Sequence, residues 1–279
     1  MDRSKRAFWE GVAATRSAQP VPPPARPSSE DISGYEACAE ALAQSLDRRP
    51  PEALVLGVTR GIVSMNWPTG SALSAIDWSP GMIRKVWPDG DLGHHATPVI
   101  ADWRQMPLRG ASCDLVLGDG CYASLNSFAD CIAVTAEVGR VLRPGGRFVQ
   151  RFFLRPDAAE SVDALFEDLL AGRIPAFEQF RWRLAMALHP AREAVVTGDI
   201  WQNWRERIAD PRMLCASLGW TERDTAVIDR WKGQDARLPL PTLGELREMT
   251  AERFELLECR VPHYAMGRQF PILVLRARR

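Results

Sequence analysis

The sequence has no apolar run approaching the roughly 20 residues of a membrane-spanning helix, which removes the helical membrane classes from its reading. It has no excess of charge either. Lys plus Arg number 35 and Asp plus Glu number 35, so no overall field would gather a nucleic acid or an anionic lipid surface. Six cysteines (Cys38, Cys113, Cys121, Cys131, Cys215, Cys259) form no C-x-x-C pair and have no His partner at zinc spacing, so free thiols and no metal are expected. His94-His95 lacks a third ligand. The stretch from Met1 to Arg6 is followed by Phe8-Trp9-Glu10 rather than the apolar core of a signal peptide, and a cytoplasmic protein is expected. A small molecule is the partner these absences leave. No internal repeat is present, and a homodimer is compatible with a sequence that fixes no oligomeric state.

What is present is enough hydrophobic material, 46% of residues, for a full core. Residues 1–50 read as a helical lid appended to the main fold at 51–279. In that lid Phe8-Trp9 sits in a short helical pattern, the proline run Pro20 to Pro24 is extended, and Ser28 caps a helix carrying Ile32, Tyr35, Cys38, Ala39, Leu42 and Leu46. From Glu52 short apolar runs alternate with helical ones. Ala53–Leu56, Leu73–Ile76, Pro98–Ala101, Asp114–Leu117 and Arg147–Phe153 read as strands; Ser79 to Val86 and Ala129 to Leu142 read as helices. Such alternation predicts a doubly wound α/β fold with a mostly parallel sheet, whose ligand lies beyond the carboxyl ends of the strands. Residues 156–250 read as a helical insert, with helices at Ala158–Leu170, Phe177–Leu188, Ile200–Ile208, Pro211–Leu218 and Leu243–Arg253. Phe254–Val261 and Phe270–Arg276 close the chain as an antiparallel hairpin, giving seven strands with the last one antiparallel.

The polar residues at the strand ends form an ordered string. Gly57 ends the first strand, Asp77 the second, Asp102 the third and Gly118-Asp119 the fourth, and Leu142-Arg143-Pro144-Gly145-Gly146 precedes the fifth. Together with Ala75-Ile76-Asp77-Trp78-Ser79-Pro80-Gly81-Met82, this string resembles the class I S-adenosylmethionine-dependent methyltransferases over roughly residues 52–153. The resemblance implies S-adenosylmethionine as cofactor. Its implied contacts are Leu56, Gly57, Val58, Thr59 and Gly61 in the first loop; Asp77 and Trp78 with Met82 in the second; Ala101, Asp102 and Trp103 in the third; and Gly118 and Asp119 in the fourth. A carboxylate at Asp77 can accept both ribose hydroxyls, and Asp102 with Trp103 stands where the family holds adenine. The first loop departs from the family pattern: Val55 replaces its acidic residue and Thr59 its second glycine. Asp77 and Asp119 also suit helix caps, and Asp102 suits a strand-end turn.

Methyl transfer from a sulfonium is an in-line displacement in which alignment alone can remove roughly 7–11 kcal/mol at best, so no catalytic triad is required. An acceptor with a proton to lose needs a base. The candidates are Asp119, Tyr122, His189 and His263, of which Asp119 and His263 are preferred as catalytic residues. Tyr122, Arg151 and Trp182 are the candidate acceptor-binding residues, because Arg151 ends the fifth strand and Trp182 belongs to an aromatic and arginine-rich part of the insert. Helix packing with a solvated arginine face would give that same pattern. Two alternatives stay open: attack at another carbon of the sulfonium, as in a cyclase or alkyl transferase, and a cofactor-binding protein without catalysis.

Overall fold

The alternating runs assemble into one seven-stranded sheet of order β3-β2-β1-β4-β5-β9-β8 in the computed structural model, which describes residues 9–11, 23–47, 49–88, 92 and 95–278. Phe8, Pro20, Val21, Pro22 and His94 lie outside the described residues. The strands are β1 (Glu52–Leu56), β2 (Ala72–Asp77), β3 (His95–Ile100), β4 (Cys113–Asp119), β5 (Leu142–Arg151), β8 (Phe254–Arg260) and β9 (Ile272–Ala277). β1 to β5 pair in parallel, and only β9 runs antiparallel to its neighbours β5 and β8, as the sequence pattern predicts.

Period-two burial decides the layers. Leu54 and Leu56 face one side with Val116 and Phe148, while Ala53 and Val55 face the other with Leu115, Leu117 and Val149. The helix Phe128–Val141 covers the first side through Val134, Val138 and Val141. The helix Ser29–Ser45, started by a Ser28–Asp31 capping box, covers the second through Tyr35, Ala39 and Leu42. That helix is a structural layer of the sheet and not part of a lid. Among the described residues of the expected 1–50 appendage, Trp9 and Ala25–Pro27 reach the cavity described below.

β5 begins earlier than the sequence suggests. Cys113 pairs with Leu142 and Leu115 with Arg147, so the Arg143–Gly146 turn bulges out of the strand instead of preceding it. The pairings Leu56 with Ile76 and with Gly118, and Asp119 with Arg151, bring the carboxyl ends of β1, β2, β4 and β5 to one edge.

The insert has its own aromatic core, built from the helices Val162–Leu170, Phe177–Ala187 and Thr197–Arg207 around Phe166, Phe177, Phe180 and Trp204. Its first helix starts at Val162 and not Ala158, because Ser161 provides the cap by accepting the Ala164 N–H. The insert is not wholly helical. β6 (Val195–Val196) and β7 (Arg237–Leu238) form an antiparallel ladder, too short to announce itself by periodicity. The last expected insert helix, Leu243–Thr250, buries Leu246 in the same core as Val134 and Phe148, so it belongs to the sheet layer.

Candidate functional site

The carboxyl edge of the sheet is shaped by backbone before side chains. Gly57 has φ +88°, a conformation other residues rarely adopt, and its N–H donates to the Ile76 carbonyl at 2.7 Å. A Cβ added there would stand 3.8 Å from Asp77 Oδ2 and 3.6 Å from Trp103 Cζ2, so Gly57, Asp77 and Trp103 bound one cradle. Trp103 is fixed in it by its Nε1–H donating to the Ile76 carbonyl at 2.6 Å. Asp77 Oδ1 accepts the Ser79 N–H at 2.8 Å, and burial pushes the carboxyl up to about 6, with the nearby Glu10 carboxylate adding to the rise. Glu10 accepts Ser79 Oγ–H at 2.7 Å and the Gly81 N–H at 3.1 Å, which brings the neighbouring Trp9 to the rim.

From this cradle a cavity of about 400 Å³ runs across the end of β4 into the insert. At its middle Gly120, with φ +60°, lets the chain turn after Asp119; a Cβ there would be 2.8 Å from Phe153 Cζ. Asp119 lines the cavity, and its Oδ1 is held by Arg151 Nε at 2.6 Å. Burial raises the Asp119 carboxyl against the pull of the Arg151 charge. The far wall is the insert: Glu178, Arg181, Trp182, Thr197, Arg230 and Trp231.

Ten of the expected contacts line this cavity as a set: Leu56, Gly57, Val58, Thr59, Gly61, Asp77, Trp78, Met82, Trp103 and Asp119. Trp182 joins them from the insert side. Others are placed elsewhere. Asp102, expected at adenine, is held by Arg104 through both carboxylate oxygens, and Ala101 and Gly118 are not among the lining residues. Gly118 is closed in by packing, since a Cβ would lie 2.7 Å from both Cys121 Sγ and Gln150 Oε1. Tyr122 is a core residue, its ring edge-on to Phe152 at 5.2 Å and its hydroxyl bonded to Thr135.

Arg151, expected to meet an acceptor anion, is fully buried. Besides Asp119 its guanidinium donates to the Pro24 carbonyl at 2.9 Å and to Tyr264 Oη at 3.0 Å, so it ties three chain segments together behind the cavity. His263, expected as a base, is 93% exposed and bonds Glu30 at 2.5 Å. His189 is buried, accepts the Leu240 N–H at 2.9 Å, and is pushed down to about 4 by burial. Neither histidine lines the cavity. Val55 is fully buried in the sheet core, so no carboxylate enters from the position where the family pattern has one.

Sequence reasoning did not single out Glu178, Thr197, Arg230 or Trp231 as site residues, nor Arg26 and Pro27. The arginine and aromatic interleaving around Trp182 lies beside Glu178 but does not distinguish a cavity wall from a packed helix, and nothing in the sequence marks Thr197, Arg230, Trp231, Arg26 or Pro27.

Residues 54–150 match the family described as "Methyltransferase domain". No curated protein matches the chain. Among solved structures, a Rhodobacter sphaeroides protein provisionally called a Zn-dependent alcohol dehydrogenase is similar with a TM-score of 0.63, 14% identity and 100% of both chains covered. The CcbJ methyltransferase of Streptomyces caelestis aligns with a TM-score of 0.55 and 17% identity over 99% of each chain. The Burkholderia thailandensis 1,6-didemethyltoxoflavin-N1-methyltransferase, solved with 1,6-didemethyltoxoflavin and S-adenosylhomocysteine, aligns with a TM-score of 0.51 and 15% identity over 98% of this chain and 87% of that one. At such identities the likeness establishes the fold alone. Among the described residues, no three His, Cys, Asp or Glu side chains group as a metal site. Residues 54–150 thus match a methyltransferase domain, and the sheet that carries them has the strand order of the class I, Rossmann-like fold.

Proposed function

We propose that the protein is a cytoplasmic S-adenosylmethionine-dependent methyltransferase for a small-molecule acceptor. The observation that carries this reading is the continuity of the cavity, from the Gly57–Asp77–Trp103 cradle past Asp119 to the insert wall. The cradle suits a nucleoside: an open face that a Cβ would fill, a carboxylate for ribose hydroxyls and an indole edge for a base. The bound cofactor would supply a sulfonium methyl group. The chain's own part is to align the acceptor and exclude water.

Asp119 is the base in this reading. It is the carboxylate at the junction of the two ends, and the Arg151 ion pair orients it while leaving Oδ2 to accept a proton from an acceptor hydroxyl or ammonium. Trp9–Gly11 and Ala25–Pro27 close the cradle as a lid, with Glu10 as its latch on Ser79 and Gly81.

The test is product analysis after incubation with S-adenosylmethionine and a bacterial metabolite extract. S-adenosylhomocysteine formed in step with a methylated metabolite is the expected outcome. Methylthioadenosine above the spontaneous background would overturn methyl transfer in favour of attack at another carbon.

A further inference from the structure

The insert end of the cavity carries information about the acceptor, on the reading that the cradle holds the cofactor. Two polar atoms there lack a hydrogen-bond partner among the described residues. Trp182 Nε1 and Thr197 Oγ1 are both buried without a hydrogen-bond partner, on residues only 6% and 1% exposed, and both residues line the cavity. Indole N–H can only donate, so this wall asks its ligand for an acceptor. Buried donors are normally satisfied, which makes the pair a mark of a missing ligand.

Both groups are held in place. Trp182 stacks edge-on against Phe153 at 4.9 Å and Phe270 at 6.0 Å. Thr197 follows the β6–β7 ladder, where its own N–H donates to the Ala236 carbonyl at 2.8 Å and the Gly198 N–H to Gln234 at 2.9 Å.

The charges at this end point the same way. Glu178 is taken by Arg181 at 2.6 Å, and that guanidinium lies 4.5 Å from the Trp231 ring centroid. Asp119 is taken by Arg151. Arg230 also lines the cavity, and it has no acid partner among the described residues. The wall is thus aromatic and rich in donors, and its uncompensated charge is positive.

We infer that the methyl acceptor is a small planar aromatic carboxylate, its ring against the Trp182–Trp231 wall, its carboxylate paired with Arg230 and an oxygen receiving the Trp182 and Thr197 donors. An anion leaves neither buried donor orphaned and meets the Arg230 guanidinium; an ammonium could use only the Thr197 hydroxyl as an acceptor, would leave the Trp182 N–H orphaned, and would face Arg230 with no free carboxylate on this wall.

Calorimetric titration tests this, with indole-2-carboxylate and quinoline-2-carboxylate as probes beside the matched carboxamides and aminomethyl compounds. Each is titrated into protein saturated with S-adenosylhomocysteine and into ligand-free protein. The expected result is at least tenfold tighter binding of a carboxylate than of its carboxamide, and none of the amine. Arg230→Ala, at an exposed position, should erase the carboxylate preference, and Trp182→Phe should weaken carboxylate and carboxamide together, both variants keeping their affinity for S-adenosylhomocysteine. Equal binding of amide or amine, no carboxylate binding at all, or a preference that survives Arg230→Ala would overturn the inference. If S-adenosylhomocysteine fails to bind, the methyltransferase reading falls; if it binds and the carboxylate preference is missing, only the acceptor class falls.

Discussion

The two ends of the cavity are built by different means. At the sheet end, register and backbone do the positioning: parallel pairing brings Gly57, Asp77 and Asp119 to one edge, and positive φ at Gly57 and Gly120 opens the space between them. At the insert end nothing is set by strand register except the short β6–β7 ladder, and the wall consists of side chains: the Glu178–Arg181 pair, Trp182, Thr197, Arg230 and Trp231. A site made by register tolerates few changes, since each shape-giving residue is also part of the sheet. A site made by side chains on helices can change its ligand without unfolding. The sheet end, proposed to hold the cofactor, should therefore respond to mutation in both stability and binding, and the insert end, proposed to hold the acceptor, in binding alone.

The largest expected break in that contrast is Arg151→Met. Removing the buried guanidinium leaves Asp119 without its counter-ion, and loss of one partner of a buried pair costs about 3–5 kcal/mol. Urea unfolding should show a loss of that size, while Arg230→Ala at the exposed insert position should stay within about 0.5 kcal/mol. Equal effects would remove the distinction between the two ends.

Gly57→Ala comes next. A side chain at φ +88° is strained by about 1–3 kcal/mol, and its Cβ intrudes on the cradle beside Asp77 and Trp103. Cofactor affinity should fall at least tenfold by calorimetry, alongside a lower unfolding midpoint.

A smaller effect follows from the Asp77 carboxyl, pushed up to about 6. Ionised, it can accept from two ribose hydroxyls of the proposed cofactor; as pH falls through about 6 it takes up a proton and one acceptor is lost. Between pH 7 and pH 5 the affinity for S-adenosylhomocysteine should drop by up to about tenfold, since roughly a tenth of the group stays ionised one unit below its midpoint. A flat profile would show that Asp77 is not the group receiving the ribose. Smallest of all is His263→Ala. An exposed histidine on Glu30, away from the cavity, should change turnover by less than about twofold and stability by less than about 0.5 kcal/mol.

The same contrast explains what could be read from the chain. Parallel strands buried on both faces leave short apolar runs with polar ends, so the seven strands and the line of Gly57, Asp77 and Asp119 were visible. Arg151 and Tyr122 were misplaced because a strand-end position does not say whether the side chain faces the ligand or the core. Here Arg151 turns to Asp119, Pro24 and Tyr264, and Tyr122 packs on Phe152. Asp102 was misplaced because Arg104, two residues on, takes its carboxylate, a local contact that the motif string does not encode. Thr197 and Arg230 were invisible because they meet only through the tertiary packing of the insert. Ser28 did signal a helix start, but helical periodicity alone could not tell that Tyr35 would bury against β4 and β5, donating to the Gly118 carbonyl at 2.6 Å, rather than swing over the cavity.

The central claim is that the Asp77 end of the cavity holds S-adenosylmethionine, and calorimetric titration of S-adenosylhomocysteine into the wild-type protein and Asp77→Ala tests it most directly. Hydrogen bonds to a charged acceptor contribute about 1.5–3 kcal/mol, so the variant, folded by circular dichroism, should bind at least tenfold more weakly. Unchanged affinity in a folded Asp77→Ala protein, or no binding by the wild type, would contradict it.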